Sequence, residues 1–328
     1  MFCLDILMID ECLIVPSPCI FKLRGKDVIR YLNARLTCDV KRLNDRECTL
    51  GAALSPQGKT EAFFSIVRLS AEEILLSTSG VPSSELIEPI LRYRVADRLT
   101  LEDQSTDYVL LHVVGACNLG GRILTVKNPS EVVVMNEQVI LWSALRSNVW
   151  GWDIIIPKSL AESLLESLSL SDNNHGDHLR ELRFKAGIPA FPDEIRPGRL
   201  FQETSMDLAI TPNKGCYVGQ EVVEKVVSRG RAPKLLMHFV GSNPCIVGDV
   251  IIFDGQEIGE VVSVASALSS GSTVVRGFAL VRSQYLPADG SELSFTIGSS
   301  MYVGVAVSSR LSALYSNLGR EDLICSAC

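Results

Sequence analysis

The 328-residue chain has no long apolar run, no excess of positive charge and no ordered spacing among its cysteines, and each absence removes a class of protein. The longest apolar stretch, around YVLLHVVGAC, is interrupted by His112. It falls well short of the roughly 20 residues that a membrane-spanning helix requires, so no membrane partner is expected. The first residues, MFCLDILMIDEC, carry Asp5, Asp10 and Glu11 and no basic region, so they read as neither a secretory signal nor a transit peptide. A net charge of -7 argues against general nucleic-acid affinity, and direct DNA binding is not expected. The ten cysteines are scattered from Cys3 to Cys328, with no framework of the kind that staples small secreted domains. The expectation is a cytoplasmic protein with reduced thiols.

Familiar chemical motifs are missing too. No GxGxxG occurs, and GACNLGGR at 115–122 puts Arg122 where a phosphate loop needs lysine. His175 and His178 form an HxxH pair in SDNNHGDH, which reads as a solvated loop because no further ligand is close in sequence. Cys325 and Cys328 supply half of a zinc site at the extreme terminus. No serine nucleophile elbow is found. A basic cluster between Lys22 and Arg46 includes Arg24, Lys26, Arg30, Arg35, Lys41 and Arg42. It reads as the solvated face of a helix and its loop, with attraction of an anion such as a polyglutamate tail or RNA as the sharper alternative.

What is present reads as an ordinary soluble composition, 47% hydrophobic and 21% charged, long enough for two or three domains. Val28, Ile29, Leu32 and Leu36 share one face of a helix. The runs TLGAALS, EAFFSIVRLS and EEILLSTS read as strands, with Pro56, Gln57 and Gly58 turning between the first two. A helix around SSELIEPILRYRV follows, capped by Ser83 or Ser84 and bent or cut short by Pro89. The grammar recurs from about residue 107: DYVLLHVVG, EVVVM, QVILWSAL and GWDIIIP read as strands, with Asn136 and Glu137 at a hairpin. KSLAESLLESLSL is the clearest helix. Residues 186–214 are proline-rich and irregular, as functional segments often are. After Pro233 short strands alternate with turns, and Asp254-Gly255 marks a hairpin. The expected division is 1–105 and 106–232 as α+β domains and 233–328 as a small β-barrel with a frayed tail.

The most unusual stretch is KGCYVGQE at 214–221. Gly215 and Gly219 permit backbone paths that other residues resist. Gln220 to Val227 reads as a helix, which puts Cys216 just ahead of its N-terminus, where unpaired N–H groups favour a thiolate. Lys214 adds charge nearby. A reactive thiol, a soft-metal ligand or an inert cysteine in a glycine-rich turn are all compatible with this pattern.

The octapeptide, with Arg229-Gly230 and Lys234-Leu235 behind it, resembles the YgfZ-type family. These folate-binding proteins support iron–sulfur cluster assembly and repair, on a fold shared with the glycine-cleavage T-protein, an aminomethyltransferase. The resemblance extends to YLNARLTCDV, AALSPQGKTEAFFSIVR, LRYRV, LRFKAGIP, GEVVSVA and GFALVR, from about residue 20 to 285. It implies an α+β fold of three domains in a ring. Two α+β domains, ferredoxin-like in character, and a small C-terminal β-barrel would surround a central channel holding tetrahydrofolate or a derivative. Cys216 would face that channel, as nucleophile or as ligand to iron or an iron–sulfur cluster. Gln220 and Glu221 are candidates for the polar edge of the pterin, Tyr217 and Trp152 for its walls, and Arg94, Arg183, Arg229 and Arg231 for the anionic tail. Partners would be folate and iron–sulfur client proteins or assembly factors, with an indirect effect on tRNA modification.

Departures from the pattern bear on chemistry. Ala62 and Phe63 stand where T-proteins carry an acidic pair with a catalytic aspartate, which argues against aminomethyl transfer. Lys185 replaces a glutamate that helps hold the pterin in T-proteins. Asn33, Ala34, Arg35 and Cys38 replace the more usual Gln, Gly, Gln and Asn of the first helix end, and Lys225 stands where arginine is frequent. The alternatives are a true aminomethyltransferase and a ligand-free interaction scaffold.

Overall fold

The computed structural model describes residues 6–8, 11–119, 122–135, 138–161, 175–269, 272–287, 290–316 and 318. The architecture is two five-stranded antiparallel sheets and a closed six-stranded barrel, with a three-stranded satellite sheet. In spatial order the first sheet runs Glu47–Leu54, Thr60–Ser70, Glu73–Ser79, Pro18–Arg24 and Thr100–Asp103. Its helices are α1 (Val28–Arg35) and α2 (Ser84–Leu91). Strand Thr60–Ser70 shows why the sheet has two covered faces. Ala62, Phe64 and Ile66 are buried in the core that also holds Val28, Leu32 and Leu36, whereas Phe63 and Ser65 point the other way, as the two-residue period requires.

That other face meets the second sheet, ordered Val132–Val134, Ile140–Leu145, Trp150–Pro157, Tyr108–Val114 and Cys12–Ile14. Cys48, Val67 and Leu75 of the first sheet pack with Leu110, Trp142 and Ile155 of the second in one apolar cluster. The strand Cys12–Ile14 pairs with Tyr108–Val114, so this N-terminal piece lies in the second sheet although the sequence grouped it with residues 1–105. A non-local pairing of three residues leaves no periodic trace.

The His175–His178 stretch is not a loop. It opens α3 (His175–Ala186), which forms because Leu179, Arg183, Phe184 and Ala186 bury one side of it. His178 pairs with Glu11. Residues 158–161 begin the helix expected at KSLAESLLESLSL, whose remainder lies outside the described residues, as do the Asn136-Glu137 turn and the Cys325–Cys328 pair. The octapeptide leads into α4 (Gln220–Ser228), and the chain ends in α5 (Val307–Ser316) behind the barrel.

The barrel closes in the order Lys234–Gly241, Ser272–Arg282, Gln256–Ser269, Val250–Phe253, Leu293–Ile297 and Ser300–Ala306. Asp254 (φ 48°) and Gly255 (φ 72°) make the expected two-residue turn, with both central residues left-handed. The basic cluster of the first domain is largely neutralised. Arg24 meets Glu73 and Glu102, Arg30 meets Asp97, Arg42 meets Asp39, and Lys22 meets Glu73.

One buried histidine ties the barrel to α3. The Nε2–H of His238 donates to the Phe184 carbonyl at 2.7 Å, and its ring lies 5.3 Å from that of Phe278. Burial, aided by the charge of Arg310, holds its pKa down at about 4. An unfolded histidine titrates near 6.5, so below that pH the unfolded chain takes up a proton that the folded one refuses. Stability present above pH 6.5 is therefore lost as pH falls towards 4, by about 2–3 kcal/mol at pH 4.5. Urea unfolding of wild type and His238→Gln at pH 7 and pH 4.5 checks this. The variant should lose less on acidification, the residual slope coming in part from His112, whose pKa burial also lowers. Equal losses would remove His238 from the account.

Candidate functional site

The octapeptide is docked onto the end of α1 and the adjoining hairpin turn. The Lys214 ammonium donates to the carbonyl of Asn33, and the Val218 N–H donates to that of Ala34 at 3.2 Å. These are carbonyls of the last turn of α1, which have no intrahelical partner. Lys214 also lies 4.9 Å from the Tyr217 ring, and burial pushes its pKa down to about 8. It anchors the loop and does not stand free beside the thiol. Gln220 is spent locally: its Oε1 accepts from the Tyr217 N–H at 3.3 Å and its Nε2 donates to Glu224 at 2.5 Å. Glu221 is exposed on the first turn of α4, and Tyr217 is half-buried against the first core.

The two glycines of the motif do different work. Gly219 has φ +85°, and a Cβ there would lie 2.7 Å from the Ser55 carbonyl oxygen. Its neighbour in the turn, Gly58, has φ +71° and would put a Cβ 2.8 Å from Val222. The turn at 55–59 and the start of α4 thus interlock through two missing side chains. Gly215 has φ +95° with nothing within 4 Å of the added atom. Gly219→Ala should therefore destabilise by about 2–3 kcal/mol, combining a left-handed backbone with a clash against backbone. Gly215→Ala should cost about 1 kcal/mol, from conformation alone. Chemical denaturation of the two variants reads the difference, and equal effects would contradict it.

Cys216, held between these glycines, is exposed. Cys12, Cys19, Cys38, Cys48, Cys117 and Cys245 are buried, so among the described residues Cys216 is the one accessible thiol.

A cavity of about 630 Å³ lies where the two sheets face each other. The first sheet contributes Phe63, Ser65 and Ser77, the second contributes Trp142 and Trp150, and the hairpin between two of its strands contributes Arg146. The proline-rich segment closes one side with Pro189, Phe191 and Pro192, and α5 closes another with Leu311 and Tyr315. The Trp150 and Tyr315 rings meet edge to face at 4.9 Å, and the Trp150 Nε1–H donates to the Leu314 carbonyl at 3.4 Å. Flat aromatic walls on a half-polar frame suit a planar heterocycle.

The charged groups of the lining are Arg146, Arg180 and Arg183 against Asp153, Asp177 and Asp193. Asp153 is buried, accepts from Arg146 Nε at 2.8 Å and Nη2 at 2.7 Å, and sits 2.9 Å from His112 Nδ1. Burial alone would raise the pKa of Asp153. The Arg146 charge and the hydrogen bonds from both partners outweigh that and hold it at about 2. Arg183 donates to Glu194 at 2.5 Å and to the Ile188 carbonyl at 3.1 Å. Glu194 in turn accepts from the Ala190 N–H at 2.9 Å and from the Ser263 hydroxyl.

Of the residues expected to meet a ligand, only Arg183 lies in this lining. Trp152 does not. It is fully buried in the core on the far face of the second sheet, with its Nε1–H on the Leu124 carbonyl at 3.3 Å. Its strand alternates, so Asp153 faces the cavity and Trp152 shares the opposite face with Ile154 and Ile156. Arg94 is at the surface near Asp97, Arg229 ends α4, and Arg231 donates to the Leu286 carbonyl at 3.3 Å. Lys185 is exposed and off the lining. Cys216 and the rest of the octapeptide also lie off it. The link is the segment from Met206 and Leu208, which line the cavity, to Lys214. Glu61 is the extra residue of a bulge between the pairs Ala53–Ala62 and Leu54–Thr60. It turns to the buried Arg35 and to Arg92, away from the cavity.

No protein-family model matches the chain. The tRNA-modifying protein YgfZ of Blochmanniella pennsylvanica is 26% identical over 228 residues, covering 67% of this chain and 68% of that protein. The YgfZ of Sodalis glossinidius is 26% identical over 236 residues, covering 69% and 71%. The glycine cleavage system aminomethyltransferase T of Bartonella henselae superposes with a TM-score of 0.73 over 90% of this chain and 84% of its own, at 14% identity. The chain is YgfZ-like, on a T-protein-like fold. In this YgfZ-like chain the cavity-facing residues of strand Thr60–Ser70 are Phe63 and Ser65, neither of which can serve as a base near neutral pH. No helix among the described residues is long and apolar enough to cross a membrane.

Proposed function

We propose that this chain binds a reduced folate in the cavity between its two sheets and uses Cys216 at its surface to support the assembly or repair of iron–sulfur proteins. The observation that carries the first half is the aromatic-walled cavity of about 630 Å³ within a T-protein-like fold. The second half rests on the accessible thiol of a YgfZ-like octapeptide. The influence on tRNA modification is then indirect, through iron–sulfur enzymes that thiolate tRNA. Because Cys216 lies off the cavity lining, folate and thiol act at separate places joined by residues 206–214. Among the described residues no three His, Cys, Asp or Glu side chains come together to hold a metal. Iron carried on Cys216 would take its remaining ligands from outside those residues, as in a transfer complex with a client.

Calorimetric titration with tetrahydrofolate tests the cavity. One site per chain is expected, and no heat at millimolar ligand would overturn the assignment. The runner-up, aminomethyl transfer from a lipoylated carrier, lacks a carboxylate on the Phe63–Ser65 face. Folate-dependent turnover of such a carrier would favour it instead.

A further inference from the structure

Arg146 is a charged group of the cavity lining with hydrogen-bonding capacity to spare. It opens the hairpin loop between strands Ile140–Leu145 and Trp150–Pro157, one residue beyond the pair Leu145–Trp150. Asp153 engages it from the side, through Nε at 2.8 Å and Nη2 at 2.7 Å. A guanidinium has five N–H groups in a fixed fork. The side-on pair uses the Nε–H and one Nη2–H. Both hydrogens of Nη1 and the outer hydrogen of Nη2 are left over, and Nη1 has no hydrogen bond to any described residue. Arg146 lines the cavity beside Trp150, whose ring is already fixed by Tyr315 and the Leu314 carbonyl. Asp153 is itself fixed from its other side by the buried His112. A chain of three side chains therefore holds one partly used donor fork in the wall of a cavity that Trp150 also lines.

The charge balance narrows what that fork receives. The lining carries three arginines and three aspartates, and Arg146 is matched by Asp153. A carboxylate placed at Arg146 would add uncompensated negative charge beside a buried one. A neutral carbonyl oxygen accepts the same N–H groups without that penalty.

We propose that Arg146 is the hydrogen-bond anchor of the cavity, that it takes the C4 carbonyl oxygen of a reduced pterin, and that Asp153 and His112 act as positioning residues for it. The proposal rests on the folate reading above and adds the edge by which the ring is read. The ring would be held on its acceptor edge, by a residue of the second sheet. The anionic tail would leave the cavity.

The test uses the whole chain, first with altered ligands and then with altered protein. Tetrahydropterin derivatives are titrated calorimetrically beside tetrahydrofolate. Replacing the C4 carbonyl by an amino group turns the acceptor into a donor and should weaken binding at least tenfold. Removing the 2-amino group should change it less than threefold. Arg146→Lys keeps the charge but loses the fork and should weaken tetrahydrofolate binding about tenfold, while leaving the 4-amino analogue nearly unaffected. Asp153→Asn should weaken tetrahydrofolate binding with the same analogue pattern, a dependence that a merely structural aspartate would not show. If either variant fails to fold, the ligand series on wild type decides alone. Equal binding of the 4-amino and 4-oxo compounds, or a greater loss from removing the 2-amino group, overturns the anchor and leaves the folate reading standing. Failure of wild type to bind tetrahydrofolate overturns both.

Discussion

Glu194→Ala is expected to destabilise the protein by about 3–5 kcal/mol, more than either glycine replacement in the octapeptide. Glu194 is 1% exposed, and its carboxylate joins three parts of the molecule. It takes Arg183 from α3, the Ala190 N–H from the proline-rich segment and the Ser263 hydroxyl from the barrel. Truncation leaves a buried guanidinium with only Asp193, at 3.3 Å and partly solvated, to offset its charge. Two further donors lose their acceptor, and each buried orphan costs about 1–3 kcal/mol. A comparison separates this from generic cavity formation. Arg183→Met with Glu194→Leu removes both charges and should be less destabilised than either charge-removing single change, since an apolar pair avoids the desolvation that each lone ion suffers. Urea denaturation of wild type, the two single variants and the double variant gives the coupling energy. Additive losses would mean that the pair is not coupled.

The same network shows what is legible in the sequence and what is hidden. Strands, helices and the barrel follow local periods, and these are readable: Val28, Leu32 and Leu36 on α1, the alternation from Thr60 to Ser70, the Asp254-Gly255 turn. The octapeptide is readable because glycines flanking a thiol ahead of a helix make a rare local pattern. The cavity is not, since its walls come from residues 15–16, 48–80, 129–130, 142–153, 176–193, 206–208 and 311–315, brought together only by pairing across the chain. Arginines are the poorest guide. Arg35 is buried between the Pro89 and Leu54 carbonyls and Glu61, Arg183 holds Glu194, and Arg94, Arg229 and Arg231 lie at the surface. Arg146 carries no signal of its own, because nothing in LWSALRSNVWGW distinguishes a hairpin arginine that enters a cavity from one that points to water. A partial signal exists in the two tryptophans flanking that hairpin, Trp142 and Trp150. The expectation for Trp152 misses by one face, on a strand whose alternation puts Asp153 towards the cavity.

Under the proposed function, Cys216→Ala should abolish support of iron–sulfur enzymes while leaving the fold and tetrahydrofolate binding intact. The argument is one of selectivity. The thiolate is the reactive and metal-binding form of cysteine, and burial opposes it. Burial pushes Cys12, Cys38 and Cys48 up to about 12 and Cys19 and Cys117 to about 11, and raises Cys245. None of these can compete near neutral pH with an exposed thiol. Brief treatment with iodoacetamide should therefore modify Cys216 ahead of those six, as read by peptide mass spectrometry. Because Cys216 is exposed and off the cavity lining, its replacement should change stability by no more than about 0.5 kcal/mol and leave the dissociation constant for tetrahydrofolate unchanged. In a strain lacking the native gene, however, the Ala variant should restore iron–sulfur enzyme activity under oxidative stress no better than an empty vector. Cys216→Ser should fail equally, since a hydroxyl is neither a soft ligand nor a comparable nucleophile. Full rescue by either variant would take the sulfur out of the mechanism. Rescue lost together with folate binding would instead mean that the octapeptide acts by shaping the cavity through residues 206–214. Only loss of rescue with folate binding retained assigns the work to the thiol itself.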